Sequence, residues 1–177
     1  LLNTLNFTDV FIVDPHSDVT PALINNVHVT SLKEIIEETP VLLDLAITTI
    51  PVSPDAGANK KVFDIAMMGD QQMIRADKIR DTSTGAITAT EVYCDDLDGA
   101  DVTIWDDICD GGRTFIELAK KLKEKNAGII NLYVTHGIFS KGYDPLFQAG
   151  IDYIYTTNSL TPLPWNNVTI VDLLMAV

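Results

Sequence analysis

Short apolar runs alternate with amphipathic segments along most of the chain, and a few turn-forming residues separate them. The apolar runs are rich in β-branched and aromatic residues and predict buried strands. They cover residues 7–13, 27–30, 46–52, 73–76, 90–94, 102–105, 129–135, 151–156 and 168–171. The amphipathic segments predict helices over residues 32–38, from about 59 to 68, 115–125 and 144–149.

Two local signals bound the first of these helices. Ser31 is a good N-cap and Glu34 lies in the first turn, where the helix dipole favours an acid. Pro40 is expected to end this helix, and residues 41–45 after it fit a helix or a strand equally well.

Strands that alternate with helices through short connections are typical of a doubly wound, mostly parallel α/β sheet. Such sheets bind ligands beyond the carboxyl ends of their strands. Asp14, Asp55 and Asp106 each begin a loop at such an end, and His136 follows a fourth strand. We therefore expect these polar groups to converge on one edge of the sheet.

The most informative stretch is the strand at residues 102–105 and the segment that follows it. Asp106 and Asp107 come directly after the strand, and Gly111-Gly112 precede the next helix. Backbone N–H groups at a glycine-rich turn and a helix N-terminus bind phosphate, and carboxylates accept hydrogen bonds from sugar hydroxyls. An ordinary strand-to-helix turn is the alternative. The combined pattern favours a site for a phosphorylated sugar.

Composition and charge narrow the functional class. The chain has 177 residues, 46% of them hydrophobic, which suits one domain over residues 1–177. The net charge of −13 disfavours a nucleic acid or an anionic membrane as partner, and is compatible with a site that gathers Mg²⁺. Cys94 and Cys109 lack metal or redox spacing and predict free thiols. With no apolar run long enough to span a membrane, we expect a soluble cytoplasmic protein. The apolar segments at both ends also suggest a piece of a longer protein.

Three further constellations are ambiguous when each is taken alone. His16 after Asp14 could contribute to a divalent-metal site or be a capping or core histidine. Asp55 could bind metal or cap the helix that follows. Lys78 and Arg80 lie on alternate residues, so they could clamp a polyphosphate together or be a solvated surface pair.

Taken together, these segments resemble a known family. The stretch 102–114 resembles the phosphoribosyl pyrophosphate (PRPP) motif of type I phosphoribosyltransferases and PRPP synthetases. The order of the other segments resembles the C-terminal catalytic half of PRPP synthetase, or ribose-phosphate diphosphokinase. The matching segments are residues 14–16, 53–57, 77–80, 135–142 and 157–162.

The resemblance implies an activity in nucleotide biosynthesis. The β,γ-diphosphoryl group of ATP would pass to the 1-hydroxyl of ribose 5-phosphate, giving PRPP and AMP, with Mg²⁺ as cofactor. The implied catalytic residues are Lys78 and Arg80, and the implied metal ligands are His16 and Asp55. The implied ribose 5-phosphate or PRPP site consists of Asp106, Asp107, Asp110, Gly111, Gly112, Arg113 and Thr114. Residues 81–88 would form a mobile cover over the site.

The chain also departs from the family pattern. Arg113 stands where the family usually has a small residue, and Ile79 interrupts the Lys-Arg-Arg triplet. The family's N-terminal half, which contacts ATP, has no counterpart here, so this chain alone could bind the sugar phosphate without turnover. The alternatives are a PRPP-dependent phosphoribosyltransferase and a non-catalytic regulatory protein associated with PRPP synthetases. The resemblance further implies a homo-oligomer for the full-length form.

Overall fold

The computed structural model describes the backbone of residues 1–80 and 87–173, and the side chains of residues 1–77 and 90–173. The side chains of Lys78 and Arg80, and residues 81–86 of the predicted cover, therefore lie outside the described residues. No helix of the described ranges is long and apolar enough to cross a membrane.

Nine strands form two sheets within the described residues. The strands are β1 Val10–Val13, β2 Val27–Thr30, β3 Ile50–Ser53, β4 Ile74–Arg80, β5 Ile87–Tyr93, β6 Val102–Cys109, β7 Ile130–Gly137, β8 Tyr153–Thr157 and β9 Val168–Val171. Strands β1 and β2 pair in parallel as a small separate sheet. The other seven form the main sheet in the order β5-β4-β3-β6-β7-β8-β9. Every neighbouring pair in it is parallel except β4 and β5.

Helices cover both faces of the main sheet. They are α1 Val19–Leu23, α2 Leu32–Glu38, α3 Pro40–Thr48, α4 Asn59–Met68, α5 Arg113–Glu124 and α6 Asp144–Gln148, with a short 3-10 helix at Leu2–Leu5. One core packs α5 against Ile104 and Leu132, whereas the other packs α2, α3 and α4 against Trp105 and Tyr133. Successive residues of a strand point to opposite faces, so β6 and β7 contribute to both cores. The predicted doubly wound α/β fold is confirmed.

The prediction around residues 40–52 was partly wrong. Pro40 begins α3 at its first turn instead of merely ending α2, because proline is tolerated where no backbone donor is needed. Residues 41–45 are helical, and the helix continues to Thr48, so the strand predicted from residue 46 begins only at Ile50. Leu42, Leu45 and Ala46 are buried at helical spacing, and their packing decides the conformation.

Strands β4 and β6 both run further than the sequence indicated. The loop predicted over residues 77–88 is wrong at both ends, because β4 runs to Arg80 and β5 begins at Ile87. Asp77 and Lys78 pair with Glu91 and Thr90 of the antiparallel strand β5. Strand β6 likewise does not end before its two aspartates. It continues to Cys109, because β7 pairs with it in parallel over its whole length. This second extension sets the geometry of the site.

Candidate functional site

A pocket of about 400 Å³ lies at the carboxyl end of β6. The loops after β1 and β3, the first turns of α4, the end of β6 and the start of α5 form its walls. Its lining residues are His16, Asp55, Gly57, Ala58, Lys61, Asp106, Asp107, Ile108 and residues 110–115. The structure thus brings together the predicted residues of the loops after β1, β3 and β6. For Lys78 and Arg80 it gives only the backbone, at the end of β4.

The glycine pair forms a tight turn onto α5. Gly112 adopts a left-handed φ of 73° at the N-cap position and offers no side-chain cap to the helix. A Cβ on Gly112 would lie 3.0 Å from Cδ2 of the buried Leu146. The first N–H groups of α5 therefore open towards the pocket without a capping side chain, which is the arrangement that favours an anion.

The segment after β7 supports this turn from the other side. The carbonyl oxygen of Cys109 accepts hydrogen bonds from the N–H groups of Ile138 and Phe139, and that of Asp110 accepts one from Ser140. Burial raises the pKa of the Cys109 thiol to about 12, with a further contribution from the nearby acids, so this cysteine stays protonated. Backbone hydrogen bonds from the segment after β7 thus hold the start of this turn in place.

Two cations lie beside the turn. Arg113 is the first residue of α5 and is exposed. Lys141 is also exposed, and its Cγ lies 3.9 Å from the position that a Cβ on Gly111 would take. The chain as a whole has a net charge of −13. Two cations near the N-terminus of α5 make the local electrostatic potential there more favourable for binding a phosphate.

The two adjacent aspartates have different surroundings. They are consecutive residues of β6, so their side chains leave opposite faces of the strand. Asp106 is half-buried, and its Oδ1 accepts a hydrogen bond from the N–H of Asp107 at 2.9 Å. Asp107 is buried on the face that also carries Trp105, towards the layer of α2, α3 and α4.

Lys61, which the sequence analysis did not single out, balances the negative charge of two buried aspartates, Asp14 and Asp107. Nζ of Lys61 donates to Oδ1 of Asp14 at 2.7 Å, to Oδ2 of Asp107 at 3.2 Å and to the carbonyl oxygen of Pro15 at 3.2 Å. Burial alone would lower the pKa of Lys61, but its hydrogen bonds and attraction to the two carboxylates outweigh burial and raise it. Lys61 is therefore a fixed cation beneath the pocket.

The loop after β1 is anchored through Asp14. Oδ2 of this buried residue accepts a hydrogen bond from the hydroxyl of Thr135 at 2.6 Å. Asp14 has a left-handed φ of 39°, which turns the chain sharply at the end of β1 and brings His16 to the pocket. The predicted loop and histidine follow the first strand as expected, but this strand begins at Val10 and not at residue 7, and the main sheet does not include it.

The two predicted metal ligands make different contacts. Nδ1 of His16 lies 3.0 Å from Oδ2 of Asp107. Oδ1 of Asp55 accepts hydrogen bonds from the N–H groups of Gly57 at 2.9 Å and Ala58 at 3.3 Å, so Asp55 orders the turn into α4 as well as facing the pocket. Among the described residues, no group of three or more His, Cys, Asp or Glu side chains is placed to hold a metal ion.

His136 does not line this pocket. Its Nδ1 lies 2.9 Å from the hydroxyl of Ser159 and its Nε2 lies 3.1 Å from the carbonyl oxygen of Val13. It lies within β7 rather than after it. These contacts tie β7 to β1 and to the loop after β8, so the residue supports the walls of the site.

No protein-family model matches the chain, but individual curated proteins do. A ribose-phosphate pyrophosphokinase of Sulfolobus acidocaldarius is 32% identical over 122 residues, which are 68% of this chain and 42% of that protein. One of Corynebacterium efficiens is 28% identical over 176 residues, covering 96% of this chain and 54% of that protein. The chain thus spans about half the length of the curated relatives it matches.

A solved structure shows the same fold. The phosphoribosylpyrophosphate synthetase of Mycobacterium smegmatis superposes with a TM-score of 0.82 at 21% identity, over 98% of this chain and 58% of that one. The predicted sheet of the type I phosphoribosyltransferase kind is thereby confirmed. On its sequence matches and its fold, the chain belongs to the ribose-phosphate pyrophosphokinase family.

Proposed function

We propose that this chain is the phosphoribosyltransferase-like half of a ribose-phosphate diphosphokinase. It binds ribose 5-phosphate and supports transfer of the β,γ-diphosphoryl group of ATP to the sugar 1-hydroxyl, giving PRPP and AMP. The observation that carries the proposal is the pocket in which Asp106 lies beside the uncapped N-terminus of α5. One wall suits sugar hydroxyls and the other suits a phosphate.

The turn at residues 110–114 is proposed to bind the 5-phosphate. The N–H groups after Gly112 and the hydroxyl of Thr114 supply neutral donors. Arg113 and Lys141 add positive charge at the rim. A phosphate bound there would direct the ribose ring towards Asp106, whose carboxylate accepts hydrogen bonds from the ring hydroxyls.

Transfer of a diphosphoryl group needs alignment and positive charge rather than a protein nucleophile. In this proposal Lys78 stabilises charge on the transferred group, and Arg80 binds the phosphates or the sugar phosphate. Both residues lie near the carboxyl end of β4, and β4 pairs with β3 in the main sheet.

Mg²⁺ fits the donors available at the pocket. This ion prefers oxygen ligands, usually keeps several waters, and is bound through one or two carboxylates together with substrate phosphates. Asp55 offers a carboxylate, and His16 offers Nε2 because its Nδ1 is engaged by Asp107. Bound with ATP, Mg²⁺ would neutralise charge on the phosphates. We further propose that the protein acts in the cytoplasm and that its full-length form is a homo-oligomer.

Isothermal titration with ribose 5-phosphate, PRPP and a magnesium–ATP analogue tests this function. We expect ribose 5-phosphate or PRPP to bind the wild-type chain, and Asp106→Ala to weaken that binding by about 2–3 kcal/mol, or roughly 30- to 150-fold, as when hydrogen bonds to a charged group are lost. Asp98→Ala, in the acidic connection before β6, is the matched control and should bind normally.

The pattern of ligands separates the possible outcomes. Nucleotide binding alongside the sugar phosphate would support a synthetase site that this chain largely contains. Sugar phosphate binding alone would support a half that needs further residues for ATP. The proposal fails if neither sugar phosphate binds at millimolar concentration, or if Asp106→Ala binds as well as wild type.

A further inference from the structure

We propose that Asp107 and Lys61 are positioning residues that act through His16. Asp107 fixes the tautomer and orientation of the His16 imidazole, and Lys61 fixes Asp107. The consequence for sugar phosphate and metal binding rests on the proposed function, whereas the geometry of His16 does not.

The path of β6 separates the two acids. Because β6 continues through both residues to Cys109, their side chains diverge to opposite faces instead of reaching the ligand together. Asp107 follows Trp105 towards α4, and its side chain is only 7% exposed. Although Asp107 borders the pocket, its carboxylate points into the layer that contains Lys61.

The oxygens of Asp107 already have partners. Oδ2 accepts a hydrogen bond from Lys61 at 3.2 Å and lies 3.0 Å from Nδ1 of His16, while Oδ1 lies 3.2 Å from the same nitrogen. Drawing this carboxylate towards a sugar would break its contacts with the half-buried ammonium of Lys61 and with His16, which is costly. Asp107 is therefore suited to hold protein groups in place.

Contact with a carboxylate determines which nitrogen of His16 carries its proton. A carboxylate is an acceptor, so neutral His16 must place its proton on Nδ1 to make this hydrogen bond. The lone pair is then on Nε2. Histidines that bind metals commonly donate their other N–H to a carboxylate in this way, which fixes the ring and increases its basicity as a ligand. The side chain of His16 is 83% exposed, so little else holds it.

Lys61 links this unit to the rest of the fold. Its ammonium also binds Oδ1 of Asp14 at 2.7 Å, and Asp14 in turn is bound by Thr135 of β7. The side chains of Lys61 and Asp14 are 29% and 2% exposed. One cation thereby connects the loop carrying His16, helix α4 and strand β6.

Imidazole ¹⁵N chemical shifts of the ligand-free protein test the proposal, because they distinguish the two neutral tautomers. The spectrum is simple since the chain has 3 histidines, and His28 and His136 serve as internal references. The spectra are recorded at a pH where the imidazoles are neutral. We expect His16 to carry its proton on Nδ1 in the wild type and in Asp106→Ala. Asp107→Ala should shift the population towards Nε2–H while leaving His28 and His136 unchanged.

Lys61 is tested in the same spectra. Lys61→Met should change the His16 signal in the direction of Asp107→Ala, and Lys61→Arg, which keeps the cation, should restore the wild-type signal. If Lys61→Met does not fold, the double variant Lys61→Met/Asp14→Asn is used in its place. It removes the charge of one buried carboxylate together with the cation. A purely structural role for these residues would change stability without altering the tautomer.

The outcomes are separable from those of the proposed function. An Nε2–H tautomer in the wild type, or an unchanged tautomer in Asp107→Ala, would overturn the assignment to Asp107. An unchanged tautomer in folded Lys61→Met, or in the Lys61→Met/Asp14→Asn double variant, would overturn the role of Lys61. None of these readings depends on ribose 5-phosphate binding, which the titration measures separately.

Discussion

At the scale of single residues, position 112 requires glycine for two reasons, its backbone conformation and the space around its Cα. Its φ of 73° is left-handed, and a Cβ would lie 3.0 Å from Leu146. We expect Gly112→Ala to lower the free energy of unfolding by about 2–3 kcal/mol, combining backbone strain with overpacking. It should also weaken ribose 5-phosphate binding, because the N–H groups after it would move. Urea unfolding and titration measure the two effects.

Gly99→Ala is the matched control for this substitution. Gly99 has a similar φ of 79°, but a Cβ there would meet nothing within 4 Å. The control should lose only about 1 kcal/mol from backbone strain and should bind sugar phosphate normally. Equal losses of stability in both variants, or equal affinities, would contradict the role assigned to the contact with Leu146.

Residue-level prediction from the sequence succeeded where a motif is local and failed where a contact is distant. The segment 106–114 is contiguous, so its acids and glycines could be placed at one strand end from order alone. Lys61 lies in a pair of lysines at the start of α4, a pattern that is usual on a solvated helix. Its partners, Asp14 and Asp107, are 47 and 46 positions away, and only tertiary structure joins them.

At the scale of elements, α2 begins with a complete capping box. Oγ of Ser31 accepts a hydrogen bond from the N–H of Glu34, and the carboxylate of Glu34 accepts from the N–H of Ser31. The hydrogen bonds from the backbone and hydroxyl of Ser31 lower the pKa of Glu34. Ser31→Ala should therefore cost about 1 kcal/mol of unfolding free energy at neutral pH, as measured by urea denaturation.

The depressed pKa of Glu34 gives this cap a pH dependence. Its ionic contribution is fully present above the unfolded-state pKa of about 4.5 and is lost as the pH falls through the lower folded-state value. The stability difference between wild type and Glu34→Gln should therefore narrow as the pH is lowered from 5 towards 3. A constant difference would argue against the capping contact.

The elements that sequence patterns predicted well are those whose signals are local. Ser31 and Glu34 marked the start of α2 and Pro40 marked its end, and β2 and β9 have the predicted bounds. Strand β6 was too short in the prediction because adjacent aspartates are unfavourable within a strand. Pairing with β7 as far as Cys109 opposite Gly137 overrides that preference. Such pairing is not visible in the sequence of β6.

At the scale of the whole molecule, the two sheets differ in burial. No side chain of β1 or β2 is fully buried, whereas nearly every side chain of β6 and β7 is. Local opening requires little apolar surface to be exposed at β1 and β2. In native-state amide exchange, we expect the hydrogen-bonded amides of these two strands to exchange at least about tenfold faster than those of β6 and β7.

The edge strand β9 provides an internal control for this comparison. It belongs to the main sheet, but among the described strands it pairs with β8 alone, so it should show intermediate protection. Exchange of β1 and β2 at the rate of β6 and β7 would mean that both sheets open as one cooperative unit. The predicted difference in local stability would then be wrong.

The polar cluster formed by Asp14, Lys61, Asp107 and Thr135 has a consequence for how the protein folds. It joins Asp14 to Thr135 across 121 positions of the chain. Closing so long a loop costs entropy before any contact repays it. These contacts therefore belong to the late stages of folding, after β6 and β7 have paired. Substitutions in the cluster should then accelerate unfolding while leaving the folding rate nearly unchanged, so that the lifetime of the native state depends on residues at the candidate site.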